Sequence, residues 1–506
     1  PCSGFAVSKS MRELPVAKES DKINKEVPET NIKRKLNVLA NRKQQPANDP
    51  IIQSGMGNKI ATPPLVNFEA QPGTASASRP DPSGAAGPSH YVQAVNFEYC
   101  VYNKTGATLG GPYYLNALWP GCWDAGDPIV LYDKYADRWL IHQIEVTNWD
   151  GIAVAISTSS DPLGTYYTYT FVPEPGDMPD FGKFSIWSDG YYCTMNYYSG
   201  KKEMIVMDRA KMLAGDPTAG MIKINFPPLP TTWFFSPLPA DADGQLPPYG
   251  TPCPVFFFED DSWSPGGADQ LRIYKFTTDW VTPSNSSLVL DQILPNSPIN
   301  VDFDPGYEDI PQPLTTKKLF SFGMVLNYRA QYRRWAGYNS VVLDHTVIVD
   351  STTKQTGIRW YELRQNTLTN AWSIYQEGTY APDLHSRWMP SLSMDDNGSI
   401  GMAYAISSST MYPSLAYTGR NASDPLGQMT FSETIAIAGT SSHPNYNFGD
   451  YSHTCLDPDG VTFWHTGEYI SSGKKTRVFS WQMPNFASVN EMNSKPELLV
   501  FQNENS

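Results

Sequence analysis

Charged and aromatic residues recur where polar loops give way to apolar, β-rich runs: His90, Asp127, Lys183, Asp309, Arg387 and Asp450, with Glu308, Trp388 and His453 beside them. If each run is the innermost strand of a radial array, these side chains converge as a ring of mixed charge around a central channel. A funnel of that kind is a ligand-binding site, and its carboxylates and cations are the groups whose ionisation a cleft would perturb. The competing role is structural. Asp127 after Gly126 and Asp450 after Gly449 stand in equivalent places, as groups that cap loops and tie neighbouring repeats together would.

Three further chemistries fit parts of this set. Glycoside hydrolysis needs two carboxylates about 5–10 Å apart, or arginines that grip a substrate carboxylate, and Asp127, Glu308, Asp309 and Arg387 are the candidates. The Asp-box turn of sialidase-type propellers is missing, with LDPDGVTFW its nearest approach. Oxygen-rich VDFDPGYED places Asp302, Asp304, Glu308 and Asp309 within eight residues, the stretch best suited to Ca2+. NYYSG, YYTYTF and TTWFFSP offer aromatic rings either for stacking on sugars or for packing between sheets. No GxSxG, HExxH, P-loop or GxGxxG-before-helix pattern occurs, and the seven histidines are scattered. The six cysteines form no CxxC. Cys100 with Cys122, and Cys193 with Cys253, are the candidate disulfides; buried free thiols are the alternative.

The elements that must position these groups are strands. Aromatic residues make up 13% of the 506, Gly and Pro number 37 and 43, and only 17% are charged, a composition that favours an all-β sandwich, barrel or propeller. Seven loop-to-strand starts, at Gly87, Gly126, Phe181, Tyr249, Asp309, Arg387 and Phe448, recur at spacings of about 40 to 80 residues. That period in a strand-rich chain predicts a seven-bladed β-propeller over 61–506, each start opening one blade. Asp189–Gly190, Asn397–Gly398 and Asp459–Gly460 predict the first hairpin turns of three blades. Arg329 to Arg334 reads as a long basic turn. DRAKMLAGDP predicts a short helix ending at Gly215. PLVNFEA should close the ring beside RVFSWQM or ELLVFQN.

Residues 1–60 lack strand or helix periodicity and read as an extended N-terminal leader, with one short helix over Ile32 to Leu39. Residues 1–50 carry ten Lys/Arg and six Asp/Glu, leaving 27 basic and 45 acidic residues for the rest. An acidic body argues against nucleic acid as a partner. No apolar run is long enough to span a membrane.

PDPSGAAGPSHYVQAVN, GDPIVLYDKYADRWL, SVVLDHTVIVDSTTKQTGIRWYELR, GTYAPDLHSRWMPSLSMDDNGSIGMAYAISSSTMYPSLAYTGR and NFGDYSHTCLDPDGVTFWHTGEY together resemble a family of large exported bacterial β-propeller proteins. Many of these are similar to cargo of the type IX secretion system in gliding and gut-associated bacteria. The resemblance spans about 64–469 and implies a secreted or cell-surface location on the outer-membrane exterior. It also implies an envelope or secretion-system protein, or a surface glycan, as partner. Neither the family's C-terminal sorting domain nor its adhesive repeats follow the last blade. The expected function is a binding protein for a glycan or another protein, without a cofactor unless Ca2+ is bound; the alternative is a carbohydrate-active, sialidase-like hydrolase.

Overall fold

A computed structural model describes residues 1–18, 49–72, 79–122, 126–145, 150–229, 237–263, 267–304 and 306–484. The helix expected over 32–39, ELLVFQN at 497–503 and all but the last residue of TTWFFSP lie outside these.

The described chain is all-β and built from antiparallel four-stranded meanders. Three strands precede them: β1 (Gly4–Val7), β2 (Ile52–Gln53) and β3 (Val66–Glu69). The first meander is β4 (Ser83–Ala86), β5 (His90–Val95), β6 (Glu98–Asn103) and β7 (Thr108–Tyr114). The second is β8 (Ile129–Asp133), β9 (Arg138–Glu145), β10 (Gly151–Ser157) and β11 (Tyr166–Phe171). The third is β12 (Pro179–Ile186), β13 (Tyr191–Tyr197), β14 (Lys202–Met207) and β15 (Met221–Asn225), with helix α1 (Arg209–Ala214) before its last strand. The fourth is β16 (Leu238–Asp243), β17 (Cys253–Glu259), β18 (Gln270–Thr277) and β19 (Ser287–Pro295). A hairpin of β20 (Glu308–Ile310) and β21 (Leu319–Phe320) intervenes. Then come β22 (Ala330–Arg334), β23 (Tyr338–Asp350), β24 (Gln355–Asn366) and β25 (Trp372–Tyr380), followed by β26 (Ser386–Met394), β27 (Ile400–Ser407), β28 (Ser414–Arg420) and β29 (Thr434–Ile437). The last unit is β30 (His453–Leu456), β31 (Thr462–Ile470) and β32 (Lys474–Gln482), completed by β3.

The first strands are in contact from β4 through β8, β12 and β16 to β22, and from β26 through β30 back to β4, while β26 packs on β23 and β24 and meets β22 where Gln331 accepts the Met394 N–H. Pairing of β3 with β32 joins the two ends of the chain, with Val66 opposite Ser480 and Glu69 opposite Arg477. This covers an edge that would otherwise expose unpaired backbone. The described parts of the leader are straps: β1 adds to the outer edge of β11, and β2 runs parallel to β25. Between sheets the core is aromatic, with Trp139, Trp187, Trp360, Trp388 and Trp481 fully buried. Burying each large apolar side chain contributes about 1.5–3 kcal/mol.

The three predicted hairpin turns close β12–β13, β26–β27 and β30–β31. Helix α1 begins where Asp208 accepts the Lys211 N–H and ends at left-handed Gly215. Four of the seven predicted starts open first strands: Gly126, Phe181, Arg387 and Phe448 lead into β8, β12, β26 and β30. The other three do not. Gly87 and Tyr249 precede second strands, β5 and β17, while the first strands β4 and β16 lie upstream. Asp309 sits in the β20–β21 hairpin, and the supposed basic turn at Arg329 to Arg334 contains the first strand β22. One cause covers all three. SGAA, LPADAD and AQYRR are made of small, polar and charged residues with few apolar ones, so they lack the apolar signature of a strand. In β4 Gly84 has no room for a side chain, because a Cβ there would run into the buried Tyr91 ring and its hydroxyl.

The predicted disulfides do not form, and all six cysteines are free thiols. Cys100 and Cys122 pack on opposite faces of the first meander: Cys100 with Tyr91, Cys455 and Trp464, Cys122 with the cluster around Trp139 and Ile141. Cys193 and Cys253 belong to different sheets, and each turns its sulfur to backbone carbonyls, of Thr194 for one and of Ala240 for the other.

Candidate functional site

Polar side chains on and beside the first strands hold backbone groups of the neighbouring unit. Ser83 accepts the Val130 N–H at 3.0 Å, and Asp127 accepts the Phe181 N–H at 3.1 Å. Asp241 accepts the Ile186 N–H at 2.9 Å. Gln331 accepts the Met394 N–H, and Ser391 accepts the Thr454 N–H at 2.7 Å. Asp81 accepts the Asp450 N–H at 2.6 Å, tying the last unit to the first. Between the fourth and fifth units the first strands themselves pair, in parallel, from Ala240–Ala330 to Asp243–Arg333. These bonds satisfy strand-edge groups that the channel would otherwise leave bare.

At the end where the first strands begin, carboxylates from several units surround one ammonium. Lys183 is fully buried, its Nζ 3.3 Å from the Phe181 ring centroid and 4.2 Å from that of Tyr451. Burial pushes it down to about 8, against the opposing pull of Asp127, Asp450, Asp81 and Asp180. The carboxylates move the other way. Burial, then the charge of Asp180, pushes Asp127 up to about 7; burial, then the charge of Asp127, pushes Asp81 up to about 6. Burial also raises Asp450, and Glu468 to about 8. Arg79 pairs with Asp450 at 3.0 Å, and Asn96 holds the mouth in register, donating to Asp81 and accepting the Asp127 N–H. Asp81 (φ 44°), Asp127 (φ 51°), Phe181 (φ 55°) and Met389 (φ 49°) all take the left-handed region where first strands begin. The strain is local, on the order of 1–3 kcal/mol each, and the ring of bonds maintains it.

The β20–β21 hairpin covers this mouth. Phe322, just beyond it, packs tilted against Phe181 with ring centroids 4.9 Å apart, Phe320 lies 5.2 Å under the Arg79 guanidinium, and the Phe320 N–H donates to the Tyr446 carbonyl. The far end of the channel carries a second ionic cluster. Arg329 pairs with Asp241 and with Asp243, Lys134 with Asp243, and Arg333 with Asp396. Burial works to raise Asp243, yet Lys134, Arg329 and Arg333 together hold it well below the usual carboxylate range. Asp241 faces Arg329 alone, and burial keeps it raised. A cavity of about 40 Å³ lies here, lined by Lys134, Asp243, Arg329 and His453.

The predicted ring is thus brought together only in part. Asp127, Lys183 and Asp450 meet at the mouth. His90 does not: it opens the second strand β5 and is half-buried near Asp161 and Lys104. His453 lies deeper in the channel, its Nδ1 3.2 Å from Ser83 Oγ, and burial pushes it well below its ordinary range. Arg387 is fully buried in a bidentate pair with Glu433 (2.7 and 3.0 Å) and a third bond to Asp383. Trp388 is buried against Phe448 at 4.9 Å. Asp309 accepts the Asp304 N–H and the Ser321 hydroxyl inside its hairpin, with burial pushing it up to about 6. The predicted Ca2+ set is dispersed: Asp302 pairs with Lys354, Asp304 with Lys318, and half-buried Glu308 begins β20. Among the described residues, the three acidic side chains whose oxygens lie within 4.8 Å of one another are instead Asp260, Asp261 and Asp269.

Asp81, Asp180, Asn96, Arg79 and Glu468 complete the mouth and went unpredicted. A signal for Asp81 existed. Asp81–Pro82, Asp127–Pro128 and Met389–Pro390 place the same Xaa-Pro step at three first-strand starts.

No family model matches the chain, and no curated protein does. Among solved structures it is similar to the WD40 domain of SCAP from fission yeast (10% identity, TM-score 0.36, covering 79% of this chain and 84% of that one). It is similar also to an α-L-arabinanase of Penicillium chrysogenum (9%, 0.31, 60% and 93%) and to a sialidase of Trypanosoma rangeli (10%, 0.33, 72% and 56%). The chain is all-β with propeller-like structural neighbours.

Proposed function

We propose that the meanders are the blades of a seven-bladed propeller closed by β3, and that this propeller is an exported or cell-surface binding protein, not a hydrolase. Its ligand is a glycan or another protein, and an envelope or secretion-channel component is its partner in export. The observation that carries the non-catalytic reading is the fate of the candidate catalytic groups. Asp127 holds a backbone N–H across a blade junction, Arg387 is spent on Glu433, Asp309 is spent beside its own hairpin, and the mouth is filled by Lys183 against Phe181, on which Phe322 packs. Groups committed to ring closure are not free to meet a scissile bond. Ligand then engages the exposed faces and loops.

The hydrolase reading keeps one observation in its favour. Carboxylates pushed up to about 6, 7 and 8 around one cation form the graded set from which acid and base roles are drawn. Reducing-sugar release from a panel of plant and host polysaccharides decides between the two. The binding reading expects no turnover, with retention of at least one glycan or stable co-purification of a partner. Turnover that disappears in Asp127→Asn while the fold persists would establish the hydrolase.

A further inference from the structure

The fifth unit carries an arginine that is held but not used up. Arg364 on β24 stands opposite Ser340 of β23 and Ser373 of β25, and Tyr338 stands opposite Asn366 two residues on, so these side chains share one face of the sheet. The Arg364 guanidinium lies over two rings, 3.3 Å from the Tyr375 centroid and 4.3 Å from that of Tyr338. Trp335 steadies Tyr338: the two rings stack at 6.2 Å, and the indole N–H donates to Ser340 Oγ at 2.8 Å. Buried Glu362 accepts the Arg364 Nε–H at 2.6 Å with one oxygen and a Gln376 amide N–H at 2.6 Å with the other. Rings and carboxylate together fix where the guanidinium sits.

Its terminal nitrogens remain. Nη1 and Nη2 donate to no acceptor among the described residues and are not buried. The Arg364 side chain is 29% exposed and Tyr375 is 38% exposed, so both reach solvent. Arg387, by contrast, spends all three nitrogens on Glu433, Asp383 and the His385 carbonyl. Charge is left over as well. Glu362 acts on Arg364 and on buried Arg420, while Asp424 beside Arg420 is taken by Lys59, so three cations face two carboxylates. A fixed guanidinium fork with surplus positive charge suits a carboxylate, held through two parallel N–H···O bonds. β24 pairs on both sides, with β23 and with β25, so the site offers no free backbone edge to a polypeptide strand. It offers the hydroxyls of Tyr338, Tyr375 and exposed Ser373, and the exposed amide of Asn366, which match the hydroxyls of a sugar.

We propose that Arg364 anchors the carboxylate of a uronic acid unit in an acidic glycan, with Tyr375 and the neighbouring hydroxyls against the sugar. The inference deepens the binding reading above by giving its glycan a site and a charge, and it rests on that reading for the class of ligand.

The test is titration calorimetry and ligand-observed NMR on the full chain with methyl glucuronoside. It should bind at low salt with a Kd of about 1 mM or tighter. Methyl glucopyranoside, which lacks the carboxylate, should bind at least about tenfold more weakly. Binding should fade as salt rises toward about 1 M. Arg364→Lys keeps the charge and loses the fork, so it should weaken binding about tenfold. Tyr375→Ala removes an exposed ring, leaves the Arg364–Glu362 pair in place, and should weaken binding about threefold. Arg12→Ala, at an exposed ion pair on the N-terminal strap, should leave it unchanged. No response to methyl glucuronoside overturns the proposal, as does equal binding of methyl glucopyranoside or an unchanged Kd in both folded variants. Acetate that binds as tightly as the glucuronoside reduces the site to a bare anion site and overturns it. Binding of N-acetylaspartate amide in place of every sugar assigns the site to an acidic polypeptide and overturns it too. Glycan turnover lost in Asp127→Asn, with glucuronoside binding intact, would sink the non-catalytic reading and leave the Arg364 site standing.

Discussion

The two ends of the central channel solve the same problem in opposite ways. At the far end Asp241 and Asp243 face Arg329, Lys134 and Arg333, and cations match carboxylates. At the mouth Asp81, Asp127, Asp180, Asp450 and Glu468 share Lys183 and Arg79. Burial penalises every one of these ions, and the far end offsets it most fully, at Asp243, although Asp241 stays raised. The mouth repays it with protons, since several of its carboxylates titrate near neutrality. The far end is therefore the less pH-dependent of the two clusters, through Asp243, and the mouth the more pH-dependent.

Removing a central cation from each end gives the largest expected effects. Arg329→Met strands buried Asp241 and takes one of three cations from Asp243, and should cost about 3–5 kcal/mol in urea unfolding at both pH 5 and pH 8. Lys183→Met should cost a similar amount at pH 8, because the mouth carboxylates then repel with Arg79 as their remaining close cation. At pH 5 they are protonated, and most of that loss should return. Equal losses at both pH values in Lys183→Met would erase the contrast.

The wild-type pH profile is the next test. Asp81, Asp127 and Glu468 have folded values of about 6, 7 and 8, above their unfolded values near 4. Between those limits these three groups bind more protons in the folded state, so their contribution to stability falls as pH rises from about 5 to 8; the buried imidazoles of His142, His345, His453 and His465, pushed down by burial, contribute in the opposite sense up to about pH 6.5. Each fully differing proton contributes about 1.4 kcal/mol per pH unit. Asp243 has the opposite sign: held low when folded, it withdraws stability only as pH falls below about 4. An Asp127→Asn profile that matches the wild type between pH 5 and 8 would show that the mouth carboxylate at 127 remains ionised.

Asn at position 127 separates charge from hydrogen bonding. Asp127→Asn keeps an oxygen for the Phe181 N–H and removes one charge beside Asp180, so at pH 8 it should be stabilising by about 1 kcal/mol and should flatten the profile. Asp241→Asn keeps an acceptor for the Ile186 N–H but leaves Arg329 undercompensated, so it should destabilise. Identical signs for the two variants would mean that the ends do not differ as described.

How much of this could be read in the sequence follows from the same polar lining. Strands with apolar faces, such as β8 (IVLYD) and β12, were legible, as were the Asp-Gly and Asn-Gly turns, the cap of α1 and the closing strand β3. First strands that carry channel groups were not: SGAA and LPADAD resemble loops, and AQYRR resembles a basic turn. Asp127, Lys183 and Asp450 could be placed because they open apolar strands. Arg387 opens one too but turns toward Glu433, away from the mouth, and spacing along the chain carries no information on that direction. Glu468, late on a second strand, reaches the mouth only through the ring's three-dimensional closure.

The smallest expected effect calibrates the comparison at the surface. Arg12 in the N-terminal strap meets Asp161 through both nitrogens, at 2.6 and 3.3 Å, with side chains 56% and 37% exposed. The geometry is as good as that of Arg329, but water screens it. Arg12→Ala should therefore cost about 0.2–1 kcal/mol, less at high salt, with no dependence on pH between 5 and 8. The strap keeps its backbone pairing, Gly4 to Val7 on Thr170 to Tyr167, so native-state hydrogen exchange in β1 should rise only slightly. A loss as large as that of Arg329→Met would mean that the strap, and not the channel, is where this propeller-like chain is held shut.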